Sequence, residues 1–201
     1  MICTLCPRRC GVLRTEASGN GFCGMPALPV VARAMLHQWE EPCISGTRGS
    51  GAVFFSGCVL GCVFCQNRSI SRERFGKTVS AARLREIFEE LTAQGAHNIN
   101  LVSPTPYVLA ILEALAEPLP VPVVWNTGGY ERVETLRMLE GKVQIWLPDL
   151  KYADNALART YSGAADYFEA AAAAIRGMHR QAGDCVMEDG LLKRGVVIRH
   201  L

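Results

Sequence analysis

Charge of one sign is scarce in this chain: 21 Lys and Arg stand against 19 Asp and Glu, a formal net charge of +2 over 201 residues. The basic residues are scattered, with runs no longer than Arg8-Arg9 and Lys193-Arg194. The stripe of Lys and Arg that a nucleic-acid partner needs is therefore missing, and these charges read as solvated surface. Long apolar runs are absent as well. No eighteen-residue stretch is uninterruptedly apolar, and Cys3 follows Met1 almost at once where a leader would carry a basic head and an apolar segment. Both features argue against a membrane span and a cleaved leader, so the expectation is a cytoplasmic chain with no membrane partner. Histidine is sparse: His37, His97, His179 and His200 lie far apart. A lone His is more often structural than a ligand, and none is assigned a catalytic role.

What the chain has instead is cysteine. Nine are present in a sequence that is 49% hydrophobic and 20% charged, the composition of one globular domain plus a small appendage. In a cytosolic setting that many thiols point to metal before disulfides. Three of them, Cys58, Cys62 and Cys65, are spaced C-x3-C-x2-C directly after the β-like run Ala52-Val53-Phe54-Phe55, with Phe64 just before the last. Three thiolates can hold three irons of a cubane cluster and leave the fourth with open coordination sites, whereas an electron carrier usually closes all four corners with Cys. The alternatives are zinc and a cluster of free thiols; zinc normally takes four ligands in two close pairs, which an x3-then-x2 triplet does not supply.

This loop resembles the cluster loop of the radical S-adenosylmethionine (SAM) enzymes. The resemblance implies a [4Fe-4S] cluster whose open iron is chelated by SAM, and one-electron cleavage of the sulfonium to a 5′-deoxyadenosyl radical, with the cofactor carrying the hard step and the protein positioning it.

A second group opens the chain: Cys3-x2-Cys6-x3-Cys10, then Cys23, among Pro7, Gly11, Gly19, Gly21 and Gly24. So short a segment has few apolar residues for a core, and a bound metal would supply much of its order. A structural zinc, a second iron–sulfur cluster or unliganded thiols all fit these four residues. Cys43 and Cys185 have no close partner and read as buried small residues, Cys43 also as an outside ligand candidate. Trp39, Trp125 and Trp146 read as core or pocket-wall residues.

Beyond the triplet, short apolar runs alternate with helix-period segments, the pattern of βα units on a largely parallel sheet. Ser80 caps a helix with Leu84, Ile87, Phe88 and Leu91 on one face and Gly95 at its end; the strand 98–102 follows. A helix over 107–116 ends before Pro118 and Pro120, and a strand is expected over 121–125. Helix 133–139 and strand 143–147 form the next unit, then helix 167–181 with Phe168, Ala171, Ala172, Ile175 and Met178 on one face, then a strand over 196–199 introduced by Gly195. The fold class is α/β: a partial (β/α) barrel of radical SAM type over 46–201, C-terminally incomplete, with a Cys-rich N-terminal module over 1–45.

Ligands of parallel βα folds sit at the C-terminal strand ends. Two such ends carry Asn126-Thr127-Gly128-Gly129 and Leu147-Pro148-Asp149-Leu150-Lys151, where Asp149 and Lys151, two apart on extended chain, point the same way. They suit a zwitterion or a cation and its carboxylate; the plainer reading is a turn and a surface ion pair.

Cys-Thr-Leu-Cys-Pro-Arg-Arg-Cys-Gly, the cluster loop and Leu-Pro-Asp-Leu-Lys together resemble the uncharacterised relatives of pyruvate formate-lyase-activating enzyme, over nearly the whole chain. The resemblance implies SAM contacts at Lys151 and Arg199, a monovalent cation beside SAM with Thr127 and Asp149 as its candidate ligands, and Asn126 and Phe64 at the cofactor site. It implies a flavodoxin- or ferredoxin-type electron donor and, as substrate, a backbone glycine of a partner protein or peptide. Two departures stand out. Ser103-Pro104-Thr105-Pro106 replaces the Gly-Gly-Glu element that binds the SAM amino group, leaving backbone carbonyls or the Ser103 and Thr105 hydroxyls to substitute, and Asn126 stands where activating enzymes carry an acid. An iron–sulfur electron carrier or scaffold without SAM cleavage, and a zinc-binding interaction module, are the alternative functions.

Overall fold

The computed structural model describes residues 2–200. In chain order its elements are β1 (Val30–His37), α1 (Pro42–Ser45), β2 (Ser50–Phe55), α2 (Arg68–Ser71), β3 (Lys77–Thr78), α3 (Ala81–Ala93), β4 (Ile99–Val102), α4 (Val108–Ala114), β5 (Val123–Thr127), α5 (Val133–Arg137), β6 (Ile145–Pro148), α6 (Asn155–Ser162), α7 (Tyr167–Ala182), β7 (Val186–Glu188) and β8 (Leu191–Val196). Among the described residues the strands form one sheet in the order β3-β1-β2-β4-β5-β6-β8-β7. The inner run β2-β4-β5-β6-β8 is parallel; β1, β3 and β7 add antiparallel edges. This is a partial (β/α) barrel with a Cys-rich N-terminal segment, and β1 extends the sheet into the range 1–45.

Strand alternation sorts the two faces. Val53, Phe55, Ile99, Leu101, Val123, Trp125 and Trp146 share the main core with Leu84, Phe88, Ile111 and Met178 from the covering helices. The opposite, concave face carries Val124, Ile145 and Leu147, closed by Ile44 of α1 and Leu192. Above that apolar floor the concave face turns polar, with Asn100 and Asn126 on β4 and β5.

Several expectations shift in register. The Ser80 cap holds, its hydroxyl accepting from the Arg83 amide, and Leu84, Ile87, Phe88 and Leu91 are all buried. Pro104 and Pro106 turn the start of the next helix into a 3-10 turn over Thr105–Tyr107, and α4 begins only at Val108. Pro122 delays β5 to Val123. In α7 the inward face is Tyr167, Ala171, Ala174, Gly177 and Met178, and Phe168 is exposed. Small residues at 171, 174 and 177 let this helix pack closely, and the tyrosine takes the inward slot.

The expected strand over 196–199 is corrected to Leu191–Val196, with Gly195 inside it at φ 143, where a Cβ would meet Cys185. Its start is set by a two-residue hairpin turn, Asp189-Gly190, both at positive φ. Past Val196 the chain continues beside β6, with Val197 N donating to Trp146 O, Arg199 N to Pro148 O and Leu150 N to Arg199 O. Cys185, expected buried, is exposed; Cys43 is half-buried against the α1 cluster. Trp39 is 88% exposed, neither core nor wall, because its neighbour Glu40 is the residue that turns inward.

Candidate cofactor site at the strand ends

The cysteine triplet leaves the C-terminal end of β2 through Ser56-Gly57, and every cysteine of the loop has at least one hydrogen-bond donor on its sulfur. Leu60 N donates to Cys58 Sγ (3.4 Å), Ser162 Oγ to Cys62 Sγ (3.0 Å) and Ser71 Oγ to Cys65 Sγ (3.4 Å). Because the single proton of Ser162 is committed to sulfur, Tyr152, 2.7 Å away, donates to Ser162. The loop is tied down on both sides: Gly57 N donates to Ile70 O and Val63 N to Tyr161 O. Gly57 and Gly61 are at positive φ, and a Cβ at Gly57 would overlap the Met25 side chain. Burial pushes the Cys58 thiol up, against the pull of the Gly61 and Leu60 amides.

The N-terminal segment grips the same loop through Arg8. Its Nε donates to Val59 O (2.9 Å), its Nη2 to Leu60 O (3.0 Å) and Ser162 O (2.7 Å), and its Nη1 to Gly163 O. The guanidinium also stacks on Phe22, 3.7 Å from the ring centroid. Thr135 Oγ1 donates to Leu5 O and Arg132 Nη1 to Thr4 O, fixing the segment against the start of α5. Its thiols carry amide donors of their own: Arg8 N at Cys6, Met25 N at Cys23 and Phe22 N at Cys10 (3.3 Å). Burial is the largest cause that raises Cys6, to about 12, and Glu131, then neighbouring Cys23 and Cys10, add to it against the pull of the Arg8 amide.

A charged network occupies the concave side of the same strand ends. Arg199 reaches three acceptors from three elements: Nε to Asp149 Oδ1 (2.8 Å), Nη1 to Glu40 Oε1 (2.8 Å) and Nη2 to Asn126 Oδ1 (2.7 Å). Lys151 Nζ takes the other Asp149 oxygen at 2.7 Å. Glu40 Oε2 accepts from the amides of both Asn100 (2.9 Å) and Asn126 (2.8 Å). Asn100 is fully buried and its Oδ1 has no partner. Asp149 and Lys151 are therefore no surface pair. Gly128 and Gly129 are more than a turn: a Cβ at Gly129 would lie 2.2 Å from Asp149 O, and one at Gly128 would touch both Leu60 of the cysteine loop and the Lys151 stem. Tyr167 locks the two strand ends, its hydroxyl within hydrogen-bond distance of Gly128 O and Asp149 O and accepting from Lys151 N.

The family model for the radical SAM superfamily matches residues 52–187. The chain belongs to the radical SAM superfamily. It is also 34% identical over 176 residues to an uncharacterised protein of Methanocaldococcus jannaschii, covering 83% of this chain and 50% of that protein, so it spans about half the length of the relative it matches.

Membership in the radical SAM superfamily implies a [4Fe-4S] cluster and SAM, and the residues fit both. Three sulfurs, each with at least one hydrogen-bond donor, suit anionic thiolate ligands. Paired Lys151 and Arg199 cations beside Asp149 and Glu40 carboxylates, with the buried Asn100 acceptor left open, suit a zwitterion with amino and carboxylate groups. Among the described residues no three His, Cys, Asp or Glu side chains are close enough to hold a single metal ion.

The sequence-expected residues divide. Asn126, Asp149, Lys151 and Arg199 converge. Thr105 and Thr127 do not join them: both hydroxyls donate to Oε1 of Glu131, on the other face of the sheet. Ser103 stands at φ 57, a left-handed conformation that the glycine of the usual motif adopts freely. Phe64 is 55% exposed at the rim, edge-on to Tyr152 and Tyr161. Glu40, Arg8, Asn100, Ser162 and Glu131 escaped sequence reasoning; an isolated polar residue before a short helix or inside an apolar strand carries no local signal. A cavity of about 380 Å³ lined by Arg48, His97, Asp189 and Lys193 opens at the opposite ends of the strands, away from this site.

Glu131 yields a pH prediction. It is 2% exposed, and burial raises its carboxyl from the ordinary 4.5 to about 7, against the Thr105 and Thr127 hydroxyls that pull it down. The folded state thus holds this proton more tightly than the unfolded chain, so its contribution to stability is complete below pH 4.5 and lost as pH rises through 7. Glu131→Gln is expected to match wild type in urea unfolding at pH 4.5 and to exceed it by up to about 3 kcal/mol at pH 8. Equal stability of the two proteins at pH 8 would refute it.

Proposed function

We propose that the protein is a radical SAM enzyme that cleaves SAM reductively and abstracts hydrogen from a substrate. What carries the reading is the pairing of a three-cysteine loop, each sulfur with its own donor, with the Glu40-Arg199-Asp149-Lys151 network at the same strand ends. The bound cofactors would supply one electron from the reduced cluster to the sulfonium, breaking its C5′–S bond to give methionine and a 5′-deoxyadenosyl radical that takes a hydrogen atom from the substrate and leaves the unpaired electron there. Cys58, Cys62 and Cys65 would hold the cluster, while Lys151 and Arg199 would orient the cofactor carboxylate and the Asn100 carbonyl would accept from a donor group. An iron–sulfur carrier has no use for this network.

The substrate class we favour is a backbone glycine of a partner protein, supported by the likeness to activating enzymes and by the exposed rim residues Val63 and Phe64. A flavodoxin- or ferredoxin-type protein would deliver the electron, in the reducing cytoplasm that thiolate ligands need. The N-terminal Cys3, Cys6, Cys10 and Cys23 would hold a second iron–sulfur centre, favoured over a single zinc ion because no three of them stand close enough to share one ion, and supported by the amide donors on three of their sulfurs.

The test is anaerobic reconstitution, metal and sulfide analysis, and assay of 5′-deoxyadenosine after reduction with SAM. Product is expected; a full cluster that yields none would sink the enzyme reading, and zinc without iron would sink any iron–sulfur reading. The relay onto Cys62 adds a second check. Ser162→Ala is expected to make the cluster midpoint potential more negative in an EPR-monitored titration, because a hydrogen bond to a ligating sulfur stabilises the reduced state. An unchanged potential would show that the Tyr152–Ser162 pair only packs.

A further inference from the structure

The resemblance to activating enzymes implies a monovalent cation at this site, and the residues present do not fit one. The candidate ligands of such an ion are Thr127 and Asp149, with Asn126 beside them where activating enzymes carry an acid. Thr127 points its hydroxyl to Glu131 instead. The Asn126 and Asp149 oxygens are both engaged by one guanidinium, at 2.7 and 2.8 Å, and Glu40 supplies a third oxygen to the same group at 2.8 Å. Three acceptors from three separate elements, the 38–41 connection, β5 and the end of β6, converge on Arg199 as they would on an ion. We infer that the Arg199 guanidinium is the resident cation of this site, holding the oxygen set that a potassium or sodium ion would otherwise hold. Its functional meaning rests on the radical SAM reading above.

Charge balance supports it. Asp149 and Glu40 bring two negative charges, and Arg199 and Lys151 bring two positive ones, with side-chain exposures between 11% and 24%. A further cation would leave this partly buried group with uncompensated positive charge, at a cost that low local polarity makes steep. The amide at position 126 belongs to the same arrangement. An acid there would face Glu40 across hydrogen-bond distance; the amide instead donates to Glu40 with Nδ2 and accepts from Arg199 with Oδ1. A guanidinium is planar and permanently charged, so it fixes all three partners at once, and two of its five N–H groups stay available to a ligand carboxylate. Arg199 is thus a positioning residue for Asp149, Asn126 and Glu40.

The test uses the reconstituted protein in potassium chloride, sodium chloride and choline chloride at equal ionic strength, with SAM dissociation constants from equilibrium dialysis and sodium-23 line widths as a direct probe of the ion. Wild type is expected to bind SAM equally in all three salts, within about twofold, and to show no sodium broadening that potassium reverses. Arg199→Ala is expected to bind SAM at least ~10-fold more weakly in choline, to regain most of that in potassium or sodium, and to broaden the sodium signal, the scale being that of a buried charge left unpaired. Arg199→Lys keeps the charge and loses the fork, and is expected to bind weakly without cation dependence. Wild type that loses ~10-fold in SAM affinity without potassium or sodium, or that broadens sodium reversibly, would overturn the inference. These wild-type arms stand even if Arg199→Ala fails to fold. If the protein carries its cluster and binds SAM in no salt, the radical SAM reading falls, and the sodium signal still decides who occupies the oxygens.

Discussion

Cys62→Ala is expected to give a folded protein that assembles no complete cluster and forms 5′-deoxyadenosine more than about three orders of magnitude more slowly than wild type, the scale on which removal of an indispensable group is felt. Cys62 is the buried member of the triplet, at 8% exposure, and sits in a small core with Leu60, Tyr130, Tyr152 and Tyr167. Its loss would remove one of the three proposed ligands and strand the Ser162 hydroxyl, leaving two sulfurs for a cube that would need three. Alanine is smaller than cysteine by one sulfur, and the fold is expected to survive the cavity at a cost of about 1 kcal/mol. Iron and sulfide content, product chromatography and near-ultraviolet circular dichroism check the three parts separately. Cys185→Ala, at an exposed thiol beside Gly195, serves as the comparison and is expected to leave all three unchanged. Wild-type iron content in Cys62→Ala would remove this residue from the ligand set.

Arg8→Ala is expected to lower the unfolding free energy by about 3 kcal/mol, the range for losing charge-assisted hydrogen bonds and leaving buried acceptors bare, and to reduce cluster occupancy together with it. A single guanidinium here serves carbonyls of Val59, Leu60, Ser162 and Gly163, two on the cluster loop and two at the end of α6. Those carbonyls belong to segments about a hundred residues apart in sequence, and Arg8 comes from a third. Its stacking on Phe22 and Tyr130 adds contacts that a lysine cannot reproduce. Arg8→Lys is therefore expected to recover less than half of the loss in urea unfolding. Full recovery by lysine would show that charge alone matters and that the fork does not.

The parallel architecture was legible because its signals are local. The Ser80 cap, the Leu84 to Leu91 stripe and the apolar runs of β4 to β6 each announce their element within a few residues. Register was less legible wherever proline intervened, as at Pro104, Pro106 and Pro122, and the Asp189-Gly190 hairpin was passed over in favour of the glycine after it. The triplet and the Asp149 and Lys151 pair could be read from spacing, since two residues apart on extended chain means one side. Thr127 shows the limit of that rule: it is one residue from Asn126, so a strand that sends the amide into the concave site sends the hydroxyl out to Glu131. Glu40 could not be anticipated, because it acts across the sheet on partners 60, 86 and 159 positions away.

The segment matched to the superfamily runs from 52 to 187. Glu40 and Arg8 lie before it and Arg199 after it, yet Arg199 holds the Asn126 and Asp149 inside it, Glu40 accepts from the Asn100 and Asn126 inside it, and Arg8 holds the Val59 and Leu60 carbonyls. A piece cut to the matched boundaries would keep every cysteine of the triplet and the Asp149–Lys151 pair, and lose one of the two cations, Arg199, with one of the two carboxylates, Glu40. What is shared with the superfamily, the cysteine triplet and the Asp149–Lys151 pair, and what ties this pocket together across the sheet, the Glu40–Arg199 pair, are thus carried by different stretches of the chain.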